Sequence, residues 1–159
     1  MKFIDFFNKI EDDIKLVREK HPEVEKMPEG YIFAGCDIEL VRPIAVINEV
    51  FQNKTQWSCQ GHSDSRWDLA YIRFQEGHEA PKELVKRLKE KGFIAGYAQP
   101  FNDKPEVKVF IIRAFNHDEV SCPNKRMQKN KEFLKELNEF ANLIINPMIS
   151  KKEKNEKII

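Results

Sequence analysis

The stretch Thr55-Gln-Trp-Ser-Cys-Gln-Gly-His62 is predicted to form a strand that ends in a tight turn, with a helix before it and a second strand after it. Gly61 can adopt backbone conformations closed to other residues, so the turn can fold His62 back beside the thiol of Cys59. The most reactive side chains of the chain are concentrated here. We therefore expect a functional site at this turn.

The composition is that of a single-domain globular protein, with 159 residues of which 41% are hydrophobic and 33% are charged. The formal net charge is +1, which excludes a global field that would attract nucleic acid. A local basic patch is still compatible with this balance.

The location expected from the sequence is the cytoplasm. No apolar run is long enough to span a bilayer, and the charged N-terminus lacks a secretory cleavage site, so we expect no membrane association. Cys36, Cys59 and Cys122 are an odd number at scattered spacings, which favours free thiols in a reducing compartment over a disulfide framework.

Hydrophobic periodicity predicts four helices and four strands. The helices are expected at residues 3–20, 43–51, 81–91 and about 125–145, and the strands at 55–60, 69–75, 93–98 and 106–115. The short apolar segment 31–35 could add a fifth strand. Pro43 and Pro81 suit the first turn of a helix, and Pro147 is expected to end the last one.

Apolar stripes at helical spacing mark the faces that we expect to point into the core. They comprise Phe3, Phe7, Ile10, Ile14 and Val17 in the first helix, and Met127, Leu134, Leu137, Ala141 and Ile144 in the last. Strand 69–75 alternates, which predicts one covered face and one partly open face. Ala70, Ile72 and Phe74 belong to the covered face, and Leu69, Tyr71, Arg73 and Gln75 to the open one.

The element order helix-strand-strand occurs twice, which predicts an α+β fold with a duplicated unit. Two such units can pair into one four- or five-stranded, mostly antiparallel sheet with helices packed on one face. Strand 106–115 is apolar on both sides, so we place it in the interior of the sheet. We expect one domain over residues 1–149 and a charged, mobile tail over 150–159.

An aromatic and cationic surface is predicted next to the turn, on the open face of the sheet. It would comprise Trp57, Arg66, Trp67, Tyr71 and Arg73. Such a surface suits stacking on a base and pairing with a phosphate. In the alternative interpretation, Trp57 and Tyr71 belong to the core and Arg73 is a solvated strand residue.

Cys59 and His62 are the candidate catalytic residues, because a histidine can activate a thiol at neutral pH. In a second interpretation, the turn binds a ligand through the side chains of Ser58 and His62 and the backbone of Gly61. In a third, Cys59 is a small buried hydrophobe beside a surface histidine.

A zinc site would need more ligands than this turn provides. His117 and Cys122 could join Cys59 and His62 if strands 55–60 and 106–115 end at the same side of the sheet. The spacing of these residues matches no common zinc motif, so we predict no stoichiometric zinc.

The segment Thr55–His62, preceded by Asn53-Lys54, resembles a motif of the tRNA methyltransferases that act at the third step of wybutosine synthesis. That motif is Thr-x-x-Ser-Cys-x-Gly-Arg/His, and His62 stands where the family usually has Arg. The resemblance implies an α/β domain that handles a modified guanosine in tRNA with S-adenosylmethionine as methyl donor. The residues themselves predict no particular cofactor, since no glycine-rich nucleotide loop is present.

The leading hypothesis is a small cytoplasmic module that binds a nucleotide or nucleic-acid fragment at the surface formed by residues 57–73. The second is an enzyme, either a methyltransferase-like tRNA modifier or a thiol enzyme that uses Cys59 and His62. The third is an interaction protein whose long C-terminal helix supports a homo-oligomer.

Overall fold

The computed structural model describes residues 3–62, 68–99 and 108–158, with side chains through residue 149. Arg66 and Trp67, which the sequence assigns to the ligand-binding surface, lie outside these residues. So does part of the segment 106–115, of which residues 108–115 are described.

Within the described residues, the chain forms four α-helices and four strands at nearly the positions that periodicity predicts. The helices are α1 (Phe3–Lys20), α2 (Val41–Ala45), α3 (Lys82–Glu90) and α4 (Pro123–Ile158), and the strands are β1 (Thr55–Cys59), β2 (Tyr71–Phe74), β3 (Ile94–Ala98) and β4 (Val109–Arg113). A 3-10 turn (Ile38–Leu40) leads into α2, and a π-helical turn (Val46–Val50) extends it.

The sheet has the strand order β1-β2-β4-β3, and each neighbouring pair is antiparallel. Both helix-strand-strand units contribute to this one sheet, so the predicted α+β class is confirmed. The interior position of β4 is also confirmed, because β4 lies between β2 and β3. Val109 is buried on one side of the strand and Ile112 on the other, which explains why its sequence is apolar on both faces.

The core lies between the helices and one face of the sheet. Phe74 of β2 packs edge-on against Phe110 of β4, and Phe133 of α4 packs edge-on against Phe93, which precedes β3. Full burial of a side chain of this size contributes up to about 3 kcal/mol. The helices add Phe7, Ile10, Ile14, Val17, Leu84, Leu88, Leu137 and Phe140, all buried.

The segment before β1 is tied to the strand by the side chain of Asn48. Its Nδ2 donates to the carbonyl of Ile44 and to Oγ1 of Thr55, and its Oδ1 accepts from the N–H group of Thr55. The helix starts before Pro43, which is the third residue of α2 and therefore still lies in the first turn. These hydrogen bonds fix the start of β1 and therefore the position of Cys59 at its other end.

The predicted strand at 31–35 is wrong, because residues 26–37 form a compact loop. The N–H group of Met27 donates to the carbonyl of Cys36, and the N–H group of Gly35 donates to the carbonyl of Met27. Lys26 and Asp37 form an isolated antiparallel bridge that closes the loop. These local hydrogen bonds take up backbone groups that a strand would present to a neighbour.

The ends of the outer helices also differ from the prediction. Phe3 is 49% exposed, so the buried stripe of α1 begins at Phe7. The buried face of α4 includes Phe133 and Phe140, while Met127, Leu134 and Ile144 are only partly buried at its border. The helix does not end at Pro147.

The segment after Pro147 continues α4 to Ile158. A proline inside a helix removes one backbone hydrogen bond and crowds the preceding turn, and here Pro147 lies on the exposed side. The expected mobility of 150–159 stays a prediction.

Candidate functional site

The turn after β1 brings His62 back beside Cys59, as the glycine between them predicts. Gly61 has a φ of +83°, and its N–H group donates to Sγ of Cys59 over 3.4 Å. Cys59 is buried at the end of the strand, with 8% of its surface exposed. The side chain of His62 is largely buried as well.

Gly61 is required by a close approach of α4. A Cβ atom at this position would lie 2.4 Å from Nδ2 and 2.8 Å from Cγ of Asn130. Asn130 is itself buried and held by two hydrogen bonds, since its Oδ1 accepts from the N–H group of Ala70 and its Nδ2 donates to the carbonyl of Asp68. The space that the sequence assigned to a ligand beside the glycine is therefore filled by α4.

Asp37 is a member of the site that the sequence does not indicate. Its side chain reaches the turn from the loop before α2, and its Oδ2 accepts a 2.8 Å hydrogen bond from the N–H group of Gln60. It is only 5% exposed. No motif spacing links Asp37 to Cys59, so only the fold of the 26–37 loop brings them together.

The imidazole of His62 lies between two carboxylates. Its Nδ1 is 2.7 Å from Oε2 of Glu25, and its Nε2 is 3.5 Å from Oδ2 of Asp37. The carboxylate of Glu25 is mostly exposed, whereas that of Asp37 is buried. The donor atoms of Asp37, Cys59 and His62 all lie within 4.8 Å of one another, and no other such group of potential metal ligands occurs among the described residues.

The environment of Cys59 disfavours a thiolate. Burial raises the pKa of the Cys59 thiol, and the negative charge of Asp37 raises it further, while the hydrogen bond from Gly61 opposes both. Cys36 precedes Asp37 in the sequence, and burial together with the charge of Asp37 raises the pKa of its thiol to about 12. Without a bound metal ion, the thiol of Cys59 is therefore protonated at neutral pH and a weak nucleophile.

The open face of the sheet carries Trp57, Tyr71 and Arg73 of the predicted aromatic and cationic surface. Trp57 lies opposite Arg73 and Cys59 lies opposite Tyr71 in the β1–β2 register, so all four share this face. Cζ of Arg73 is 4.5 Å from the ring centroid of Trp57, at a distance typical of a cation–π contact. Trp57 is 56% exposed while Arg73 is only 7% exposed, so Trp57 is not core and Arg73 is not a solvated strand residue.

Tyr71 and Ser58 differ in their relation to that face. Tyr71 is partly buried on it, and burial raises the pKa of its hydroxyl. Ser58 lies opposite Ile72 and points to the helix-covered side of β1. The predicted ligand-binding residues are therefore divided between the two sides of the sheet.

A groove of about 700 Å³ lies between the turn and α4, and we call it the turn groove. Gln60 and Gly61 form one wall. The other wall and the floor come from Glu39 and from α4, through Met127, Gln128, Asn130, Lys131, Glu132, Leu134, Lys135 and Asn138. Sequence periodicity placed Met127 and Leu134 on the core side of the last helix and did not indicate this groove.

His117 and Cys122 do not converge with Cys59 and His62. Nε2 of His117 is 2.9 Å from Asp68, and Cys122 is exposed just before α4. The same carboxylate accepts a 2.9 Å hydrogen bond from Arg126. The four-ligand zinc site considered from sequence is therefore not formed.

Comparisons of the chain with protein-family models, with curated proteins and with solved structures found no match. Among the described residues, no helix combines the length and the hydropathy required to cross a membrane.

Proposed function

We propose that this protein is a binding module for a nucleotide or a short nucleic-acid fragment, held in the turn groove. The observation that carries the proposal is the groove itself, in which Gln60 and Gly61 lie opposite lysine, amide and glutamate side chains of α4. Its volume of about 700 Å³ is in the range of small-molecule sites.

The charges of the groove suit a phosphate group at its α4 side. Lys131 and Lys135 are one helical turn apart and both are exposed. Nζ of Lys135 is 4.0 Å from Glu139, and Lys131 has no ion-pair partner among the residues described. An exposed lysine binds a phosphate as a compact point charge and loses little by leaving a weak surface pair.

The remaining lining suits a base. Met127 and Leu134 supply apolar surface, and the amide groups of Gln60 and Gln128 supply both donors and acceptors. Side-chain amides can read the edge of an unpaired base, and apolar surface can cover its plane. The groove therefore offers phosphate, edge and stacking contacts at one place.

Two features of the sequence support this ligand class and its location. The likeness of residues 55–62 to the wybutosine methyltransferase motif supports RNA or a nucleotide as the ligand. The three cysteines form no disulfide with one another, which supports a reducing compartment such as the cytoplasm.

The test is a fluorescence-anisotropy titration of a labelled single-stranded RNA hexamer, with guanosine monophosphate as competitor. The double variant Lys131→Gln/Lys135→Gln is expected to bind the hexamer at least about tenfold more weakly, and wild-type affinity should fall as salt rises. The control is Lys86→Gln/Lys89→Gln, two exposed lysines one turn apart on α3, which should bind like the wild type. Equal weakening in both variants, or no binding by the wild type, contradicts the proposal.

Two other functions are proposed with less support. A thiol enzyme would use Cys59 and His62, which are adjacent, but the raised pKa of Cys59 leaves little thiolate at neutral pH. A homo-oligomer would use the outer side of α4, where Leu143 is 61% exposed. Rapid alkylation of Cys59 would favour the former, and a doubled mass in light scattering the latter.

A further inference from the structure

We propose that Asp37, Cys59 and His62 form a three-ligand centre for a divalent transition metal, with zinc as the preferred ion. This metal site is separate from the nucleotide site proposed in the turn groove, and the metal proposal does not depend on the nucleotide proposal. It also replaces the expectation of no zinc, which rested on a ligand set that included His117 and Cys122.

The distances between the donor atoms fit a tetrahedral ion. Zinc bonds of about 2.0–2.3 Å place neighbouring donors roughly 3.3–3.8 Å apart. Nε2 of His62 and Oδ2 of Asp37 are 3.5 Å apart, and all three donor atoms, including Sγ of Cys59, lie within 4.8 Å of one another. Closure around an ion therefore requires shifts on the order of 1 Å or less.

Glu25 orients the imidazole as a metal-binding histidine requires. Its carboxylate is 2.7 Å from Nδ1 of His62, which is hydrogen-bond distance, so Nδ1 can donate to Glu25 while Nε2 binds an ion. Nε2, which is 3.5 Å from Oδ2 of Asp37, is then the ring atom available to an ion. A carboxylate behind a ligating histidine is the usual second interaction of zinc sites, and it is an observation independent of the ligand cluster.

The distance from Nε2 of His62 to Asp37 also supports a metal site. A separation of 3.5 Å between Nε2 and Oδ2 is longer than a good hydrogen bond, so the two atoms are not simply bonded to each other. Asp37 is also fixed in place, because the backbone N–H group of Gln60 donates to the same oxygen at 2.8 Å. The cluster is thus held at metal-ligand spacing by the loop and the turn.

Charge and donor type select the ion. With an ion bound, Cys59 loses its proton, and the buried thiolate and the buried carboxylate of Asp37 then carry two negative charges, which a divalent cation compensates. A sulfur, a nitrogen and an oxygen donor favour zinc over magnesium or calcium, which prefer oxygen ligands.

Three ligands leave a fourth position for a water or a substrate atom. Within residues 3–62, 68–99 and 108–149 no further histidine, cysteine or carboxylate joins the group. Three protein ligands and an open position are typical of catalytic zinc sites, whereas structural sites have four protein ligands. The chemical class of ligand for this position is therefore a water or a small anionic oxygen donor.

The test is metal binding by the full chain with zinc chloride or cobalt chloride alone. Native mass spectrometry should find about one ion per chain, and cobalt should give the absorption of a tetrahedral thiolate complex. His62→Ala and Cys59→Ser should each reduce zinc affinity by at least about 100-fold in competition with a chelating dye. Glu25→Gln should reduce it by about 10–100-fold, because it removes only the support of the histidine.

The controls separate the proposal from adventitious binding. Cys122→Ser and His117→Ala keep the Asp37 cluster intact and should retain wild-type affinity and the cobalt spectrum. Glu25 is exposed, so Glu25→Gln should remain folded, and a thermal melt of each variant confirms this. Absence of a stoichiometric ion in the wild type, or equal losses in the Cys122 and Cys59 variants, overturns the proposal.

Discussion

Individual residues at the turn have roles that depend on what packs beside them. Gly61 combines a positive φ with a close contact to Asn130, so it is required for two separate reasons. Arg73 lies on a strand face that sequence alternation assigns to the open side, yet it is buried beneath an exposed tryptophan. Local pattern thus predicts which way a side chain points and leaves open what covers it.

Gly61→Ala is predicted to destabilise the protein by about 2–4 kcal/mol. The positive φ accounts for roughly 1–2 kcal/mol. The rest comes from displacing Asn130 and weakening its buried hydrogen bonds to Ala70 and Asp68. Urea unfolding measures the change.

The matched control is Gly77→Ala. Gly77 also has a positive φ, of +84°, but a Cβ atom there would have nothing within 4 Å. This variant should show the conformational cost alone, about 1–2 kcal/mol. Equal costs at Gly61 and Gly77 would show that the contact with Asn130 is unimportant.

At the scale of the elements, β4 and α4 organise the molecule. β4 pairs with a strand on both sides, while α4 covers the sheet and supplies one wall of the turn groove. Arg87 of α3 donates to Glu136 of α4 at 2.9 Å, and Arg42 of α2 donates to both oxygens of Glu11 in α1. These contacts fix the helices relative to each other around the core.

Amide hydrogen exchange should be slowest in the two interior strands. Residues 111–113 of β4 and 71–73 of β2 pair with a strand on both sides, and Ile72 and Ile112 among them are fully buried, so their opening requires disruption of the sheet. The edge strands β1 and β3 should exchange faster. Exchange of 111–113 at the rate of the exposed turn at Gly77 would contradict the observed strand order.

At the scale of the whole molecule, one carboxylate connects three separate parts of the chain. Asp68, just before β2, contacts His117 in the loop after β4 and Arg126 in α4. Burial alone would raise the pKa of Asp68, but the hydrogen bonds from His117 and Arg126 outweigh it and hold the pKa below its ordinary value. Because of this lowered pKa, the free energy of unfolding depends on pH in the acid range.

The folded state favours the ionised form of Asp68, so ionisation of this carboxyl stabilises the protein. Its contribution is complete above the unfolded pKa of about 3.9 and is lost as the pH falls through the lower folded value. Asp68→Asn is therefore expected to lower the free energy of unfolding by about 1–2 kcal/mol at pH 7 and by progressively less below pH ~4.

Urea titrations at several pH values measure the effect of Asp68→Asn. Asp118→Asn, an exposed carboxylate in the same loop as His117, is the control and should change stability little at any pH. A difference between wild type and Asp68→Asn that stays constant down to the most acid pH would contradict the assigned hydrogen bonds.

The sequence alone was sufficient for the fold class, the strand positions, the interior place of β4 and the turn that joins Cys59 to His62. These follow from periodicity, from apolarity on both strand faces and from glycine, which act over a few neighbouring residues. Tertiary packing was needed to bring Asp37 to the turn, to fill the space beside Gly61 with Asn130 and to form the groove against α4. The physical reason is that contacts between residues far apart in sequence depend on how whole segments pack together. No local sequence pattern at a single residue specifies such a contact.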